Sequence, residues 1–340
     1  MNQQAPTAVS FAMPVPRVPA WATPCSTIDS DVEAAYMAGS ALNSLDNLVR
    51  SDVPWLGAWR QRLALKAAAA SVKLMRRTED ESALRDAWYL RQPGDDPGPA
   101  GKVLSAWRKL ADRSLPSSVE DLQSLADLLG ITWTDAFVDR IEDIADDVRS
   151  MVPAPLIAAR AATAIMREDP KAEAMAWWMA DLALSWRMAW RHAVPLLATQ
   201  IHSAVLRTGP DRRRARPDSP DYERAICLAA AAGAAEACRL AVGIAQQAER
   251  LYEVTPKLRS KGAGDVIALL LSDDAVSGSF TSKVMTRWAS RRLFERLEQF
   301  DAVRELTGSW FAGYRTRRAS ARASLARVDD TCRGSYFRCA

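Results

Sequence analysis

Histidine and cysteine are scarce: two His and five Cys in 340 residues. No Cys-x-x-Cys pair occurs, and His192 and His202 stand ten apart, too far for a pair on adjacent helical turns. A zinc site needs closely spaced nitrogen and sulfur ligands, so no metal and no other cofactor is expected. Both histidines are read as structural or surface groups, and Cys227 and Cys238 as small buried residues on one helix. Also missing are a Gly-rich phosphate loop and any Ser/His/Asp order, so no catalytic residue is assigned. The clustered acids at Glu79-Asp80-Glu81, Glu142-Asp143 and Asp146-Asp147 are read as caps or solvated helix faces. No window offers about 18 uninterrupted apolar residues, and the nearest, Ala225 to Ala245, is broken by Glu236 and Arg239, so a membrane partner is not expected. Residues Met1 to Ala20 carry Pro14, Pro16 and Pro19 but neither a basic nor an apolar leader region. They predict a disordered arm rather than a signal peptide, and hence a cytoplasmic protein.

Val/Ile/Thr runs are few, whereas Ala, Leu, Arg, Glu and Met abound, and these are the best helix formers. With 49% hydrophobic and 25% charged residues the composition is that of a folded globular chain, and the expected class is all-α, a multi-helix bundle. Ser30 caps a predicted helix from Asp31 to Arg50 whose apolar stripe includes Tyr36, Ala38, Leu42, Leu45 and Leu48. Pro54 precedes a second helix over Trp55 to Arg77. A third begins at the acids 79–81, and a loop of Pro, Gly and Asp at 93–99 leads to a fourth over Ala100 to Arg113. Ser117-x-x-Glu120 reads as a capping box and Gly130 as the stop of the helix that follows. Further helices are predicted over Asp135 to Met151 and from Pro153 to Arg167.

The stretch Lys171 to Leu206 is predicted as one helix kinked or split at Pro195. Trp177, Trp178, Trp186 and Trp190 recur near helical spacing there, as a core seam or, alternatively, the wall of a ligand pocket. Arg207 to Pro220, with Arg212-Arg213-Arg214, reads as a basic linker before a long Ala-rich helix. The organisation expected is a disordered arm at 1–29, a helical bundle at 30–206, a linker at 207–219, a long helix at 220–258, a winged-helix-like module at 259–308, and an atypical disordered tail at 309–340.

The terminal module carries the functional information. An apolar helix at 266–271, a short second helical segment holding Phe280 and Val284, a third helix from Met285 to Phe300 and a strand-like Val303 to Leu306 give the helix, helix, helix, strand order of a winged helix-turn-helix. At about 100° per residue, Ala289, Leu293, Leu297 and Phe300 share one face of the third helix, with Phe294 beside them. Trp288, Arg291, Arg292 and Glu295 lie opposite, and Arg287 at the margin. Recognition helices present their first turns to base edges, and Arg pairs bidentately with guanine or phosphate. Arg287, Trp288, Arg291, Arg292 and Arg304 are therefore the candidate DNA-binding residues. The alternative is a helical ligand-sensing or protein-interaction module, in which the same face meets a protein.

A resemblance sharpens this. Lys261-Gly-Ala-Gly-Asp, Arg291 to Leu297, and Ala302 to Gly308 resemble the C-terminal part of the uncharacterised bacterial domain-of-unknown-function family 1403. Pro54 to Leu65, Glu79 to Asp86 and Pro93 to Gly101 extend the likeness over roughly residues 20 to 308. The family brings no established activity. Arg304 to Gly308 also resembles the wing of modules that follow Fic-type adenylyltransferase domains, but the His-Pro-Phe start of that catalytic motif has no counterpart, since Ala193 follows His192 and Ser203 follows His202. After Gly308 the pattern is lost, and the Arg/Ser/Ala-rich tail reads as a shifted reading frame. From Thr255 onward there are 16 Lys/Arg and 9 Asp/Glu, but 7 Arg and 2 Asp of these follow Gly308. The charge asymmetry thus lies mostly in the tail, and the helix from Met285 to Phe300 keeps 4 Arg against 2 Glu.

Overall fold

A computed structural model describes residues 15–25, 28–91, 94–112, 118–209, 211–217, 219–306 and 335–339. Ser117, the turn at Thr307-Gly308 and Cys332 lie outside the described residues, as do 1–14 and most of the tail. The structure is mostly helical, with eleven α-helices and five short strands among the described residues. The first four helices are α1 (Asp31–Val49), α2 (Leu56–Leu74), α3 (Glu81–Tyr89) and α4 (Gly98–Asp112). They are followed by α5 (Val119–Leu129), α6 (Asp135–Arg149), α7 (Ala154–Glu168) and α8 (Glu173–Arg187). A helix of 33 residues, α9 (Tyr222–Val254), runs through the bundle. It lies along α1 and also touches α7 and α2, while α7 packs on α8 and α2 on α4. Small side chains permit this: Ala34, Ala38 and Ala41 of α1 and Ala230, Ala234, Ala237 and Ala241 of α9 are buried. By length and composition α9 is apolar enough to cross a membrane, yet 72% of its most apolar stretch is buried inside the fold.

Local chemistry explains the helix ends. Ser30 Oγ accepts from Glu33 N, and Asp80 Oδ1 accepts from Ala83 N at 2.8 Å. The capping box of α5 is formed by Ser118 and Asp121, one position later than expected, and Gly130 ends the helix with φ 69°. The stretch from Lys171 to Leu206 is not one helix split at Pro195. Instead α8 stops at Arg187, where Ala189 turns left-handed (φ 53°) and Trp190 N donates back to Ser185 O at 3.1 Å. Asp181 of α8 then holds the returning chain by accepting from Leu197 N at 2.6 Å and Ala198 N at 3.2 Å.

Several expected boundaries are corrected. Within the arm at 1–29, Ala20–Ala22 forms a 3-10 turn on α1, with Ala22 buried. Trp21 stacks there on Tyr36, which is exposed and so lies outside the apolar stripe of α1. The basic linker contains a small hairpin, in which β1 (Arg207–Thr208) pairs antiparallel with β2 (Arg213–Arg214). The long helix at 220–258 is the spine of the bundle and not a separate element. In the atypical tail, Tyr336, Phe337 and Cys339 are buried in a strand, so the end of the chain belongs to the fold.

That strand completes the C-terminal part. After α10 (Ala263–Ser272) come β3 (Val276–Ser277), α11 (Arg287–Gln299), β4 (Val303–Glu305) and β5 (Tyr336–Cys339). The sheet is antiparallel in the order β3-β5-β4, so the last strand in sequence is the central one. Between β3 and α11 there is no helix; a turn with the bridge Ser282–Met285 occupies 278–286. Side chains alternate across β5. Phe337 stacks on Phe294 of α11, and Cys339 Sγ lies 3.8 Å from Leu270 O of α10. On the other face, Tyr336 stacks on Tyr89 and donates to Asp86, both on α3. One face of the sheet thus carries α10 and α11, and the other meets the bundle.

Candidate nucleic-acid interface

Thr286 starts α11 by accepting from Ala289 N at 3.3 Å. Ser290, Leu293, Phe294 and Leu297 form its buried face. Phe294 therefore stands at the centre of the contact, where the spacing had placed it at the side. Phe300 lies just past the helix end and is exposed, with Arg296 and Lys257 over its ring. Helical geometry then turns Arg287, Trp288, Arg291, Arg292 and Glu295 outward, and all five are exposed. Trp288 has 66% of its surface open to solvent. Among the described residues Arg287, Arg291 and Arg292 form no ion pair. Three unpaired guanidiniums and an indole thus occupy the first two turns of a helix whose N-terminal dipole is itself positive. Glu295 and Glu298 follow on the second half.

Arg304 is not part of this group. It faces Arg338 across the β4–β5 ladder, on the same side of the sheet as Tyr336 and opposite α11. Alternation along a strand dictates this, because its neighbours Val303 and Glu305 point the other way.

Sequence reasoning missed a buried polar seam between this module and the bundle. Asp273 and Asp274 leave the end of α10 and enter it. Asp274 accepts from Arg62 Nε at 3.2 Å and from Arg85 Nε at 2.6 Å. Asp273 is gripped by both terminal nitrogens of Arg108, at 2.9 and 2.8 Å, and by the Tyr89 hydroxyl at 2.6 Å. Burial, together with the nearby Asp273 carboxylate, keeps Tyr89 a phenol by raising its pKa far above normal. The partners lie more than 160 residues apart in sequence, so no local spacing announces them.

Trp177, Trp178 and Trp190 are buried in the core and Trp186 packs against it. Trp178 Nε1 donates to Ala106 O at 3.0 Å and Trp190 Nε1 to Asp46 at 2.7 Å. The cavity beside Trp177 has a volume of only about 10 Å³, room for about one water. A larger cleft of about 680 Å³ lies between the β1–β2 hairpin and α9, bordered by Ile28, Val205, Leu228, Arg207 and Arg212. The acidic face of α6 is a set of surface pairs, with Arg140 on Asp143 and Arg149 on Asp146, each at 2.7 Å. His202 shares a hydrogen bond with Ala70 O at 2.9 Å.

Searches among curated proteins and solved structures return no match. A family model described as a protein of unknown function (DUF1403) matches residues 6–312, which span the bundle, α10, β3, α11 and β4. On that match, the chain belongs to the DUF1403 family.

Proposed function

We propose that this protein binds duplex DNA, without catalysis, through the first two turns of α11. The observation that carries the proposal is the exposure of Arg287, Trp288, Arg291 and Arg292 with no carboxylate paired to the arginines among the described residues. Solvated basic helices commonly pair their cations along the helix; these are left free for phosphate or base edges. The order of elements supports it. A helix, a strand, a helix and two strands, with the last strand central in the sheet, is similar to the order of a winged helix without its second helix, and on this reading α11 corresponds to the recognition helix. The turn at 278–286 stands where such modules have their second helix.

Trp288 offers the specific test. In low salt, a fluorescently labelled mixed-sequence duplex should bind and quench Trp288, and Trp288→Phe should remove most of that quenching. Absence of any duplex binding at low salt would end the proposal.

One observation favours a second reading, a ligand-sensing bundle. The cleft of about 680 Å³ is lined by the apolar Ile28, Val205 and Leu228 and by Arg207 and Arg212, which form no ion pair among the described residues, a size suited to a small amphipathic molecule.

A further inference from the structure

On the bundle-facing side of the sheet, cations outnumber carboxylates. Arg62 and Arg85 share Asp274, and Asp273 is taken up by Arg108 and Tyr89. Arg338 enters the same region from β5, where the nearby acid is Asp274, already held by two arginines. Among the described residues its side chain forms no ion pair and no hydrogen bond, and its Nε is shut off from water without a partner. Directly across the ladder stands Arg304, exposed and without an ion pair among the described residues. Like charges facing each other across an antiparallel pair repel. A buried guanidinium nitrogen without an acceptor adds a desolvation cost. Burial, then Arg62 and Arg304, push the Arg338 pKa down to about 10 against the opposing pull of Asp274, which still leaves it cationic at neutral pH.

We propose that Arg304 and Arg338 together bind a small oxyanion, a free phosphate or a phosphate monoester, at the seam between the sheet and the bundle. The chemistry is that of the guanidinium fork, which donates two parallel hydrogen bonds to a tetrahedral oxyanion. Opposite residues in an antiparallel pair have Cβ atoms about 4.5–5.5 Å apart, so two long side chains on one face converge on a single ion. Such an anion adds to the charge of Asp274, which is already divided between two arginines. It also has a consequence for α11. A ligand held by β4 and β5 against the bundle stiffens β5, and Phe337 of β5 is the surface on which Phe294 sits. This site lies on the opposite face of the sheet from Arg291 and Arg292, so it does not depend on DNA binding.

The test uses the full chain and isothermal titration with inorganic phosphate and with a nucleoside monophosphate, against chloride at equal ionic strength. Millimolar ligand is sufficient and avoids the general stabilisation that concentrated phosphate gives any protein. Saturable binding is expected, weakened about tenfold or more by Arg304→Gln and by Arg338→Gln, the effect of losing a charge-assisted hydrogen bond. Arg304 is exposed, so its variant carries the test if Arg338→Gln fails to fold. Arg291→Ala/Arg292→Ala should bind phosphate as the wild type does. Binding of both ligands alike places recognition in the phosphate alone, whereas tighter monophosphate binding points to an ester as the ligand. No saturable binding, or equal binding by Arg304→Gln, would overturn the proposal.

Discussion

The rings of Phe294 and Phe337 lie 4.5 Å apart and 11° from parallel, joining α11 to the last strand of the chain. The helix that carries the exposed arginines is thus seated on residues from a segment whose composition gives no sign of structure. Phe337→Ala should cost about 3–5 kcal/mol, as for other buried Phe truncations. Hydrogen exchange checks this: amides of 287–299 should lose protection while those of α9 keep theirs. Unchanged protection in α11 would mean that β5 does not support it.

Asp274, only 3% exposed, is shared by Arg62 and Arg85. Asp274→Ala leaves both guanidiniums enclosed without their carboxylate, and breaking a buried pair in this way costs about 3–5 kcal/mol. Urea unfolding followed by near-UV circular dichroism measures the loss. A change within about 0.5 kcal/mol, typical of surface positions, would contradict the burial of the seam.

Two glycines should respond in opposite directions. A Cβ on Gly57 would fall 2.7 Å from the backbone of Ser272, where α2 meets the end of α10. Gly57→Ala should therefore destabilise by about 1–3 kcal/mol through overpacking. Gly39, inside α1, has nothing within 4 Å of its added Cβ. Gly39→Ala should stabilise by about 0.5–1 kcal/mol through helix propensity. Thermal melting of the two variants decides it, and equal shifts would count against the close approach of α2 to α10.

Asp181 gives a pH dependence. Full burial raises its pKa to about 7, against the opposing hydrogen bonds from Leu197, Ala198 and Leu196 N–H groups. Its folded pKa thus exceeds its unfolded value of 3.8, so the folded state binds the proton more tightly. The stability linked to that proton is present at low pH and lost as pH rises through about 7. Relative to Asp181→Asn, the wild type should gain stability as pH falls from 8 toward 5. Parallel urea midpoints for the two proteins across that range would contradict the burial of an ionisable Asp181.

Most of the helices were legible because their signals are local. The Ser30 and Gly130 caps and the Leu293/Leu297 stripe work within one or two turns. The outward direction of Arg287, Trp288, Arg291 and Arg292 followed from the same periodicity. What was not legible depends on distant partners. Ala189 carries no sequence sign of its left-handed turn, so the end of α8 is not marked locally. The face of Arg304 is fixed by β5, a strand more than 30 residues away in sequence, so its local sequence does not separate it from α11. Asp273 and Asp274 look like an ordinary helix end until Arg62, Arg85 and Arg108 arrive from the other half of the chain.

The most direct measurement is the affinity of the full chain for a mixed-sequence duplex at several salt concentrations, beside Arg291→Ala/Arg292→Ala. Each phosphate neutralised contributes about −0.9 to the slope of log K against log salt concentration. The account predicts a steep negative slope for the wild type. If both arginines meet phosphates, the double variant should show weaker binding and a slope shallower by about 2. Equal affinities and equal slopes for the two proteins would contradict the assignment of α11 as the DNA-binding surface.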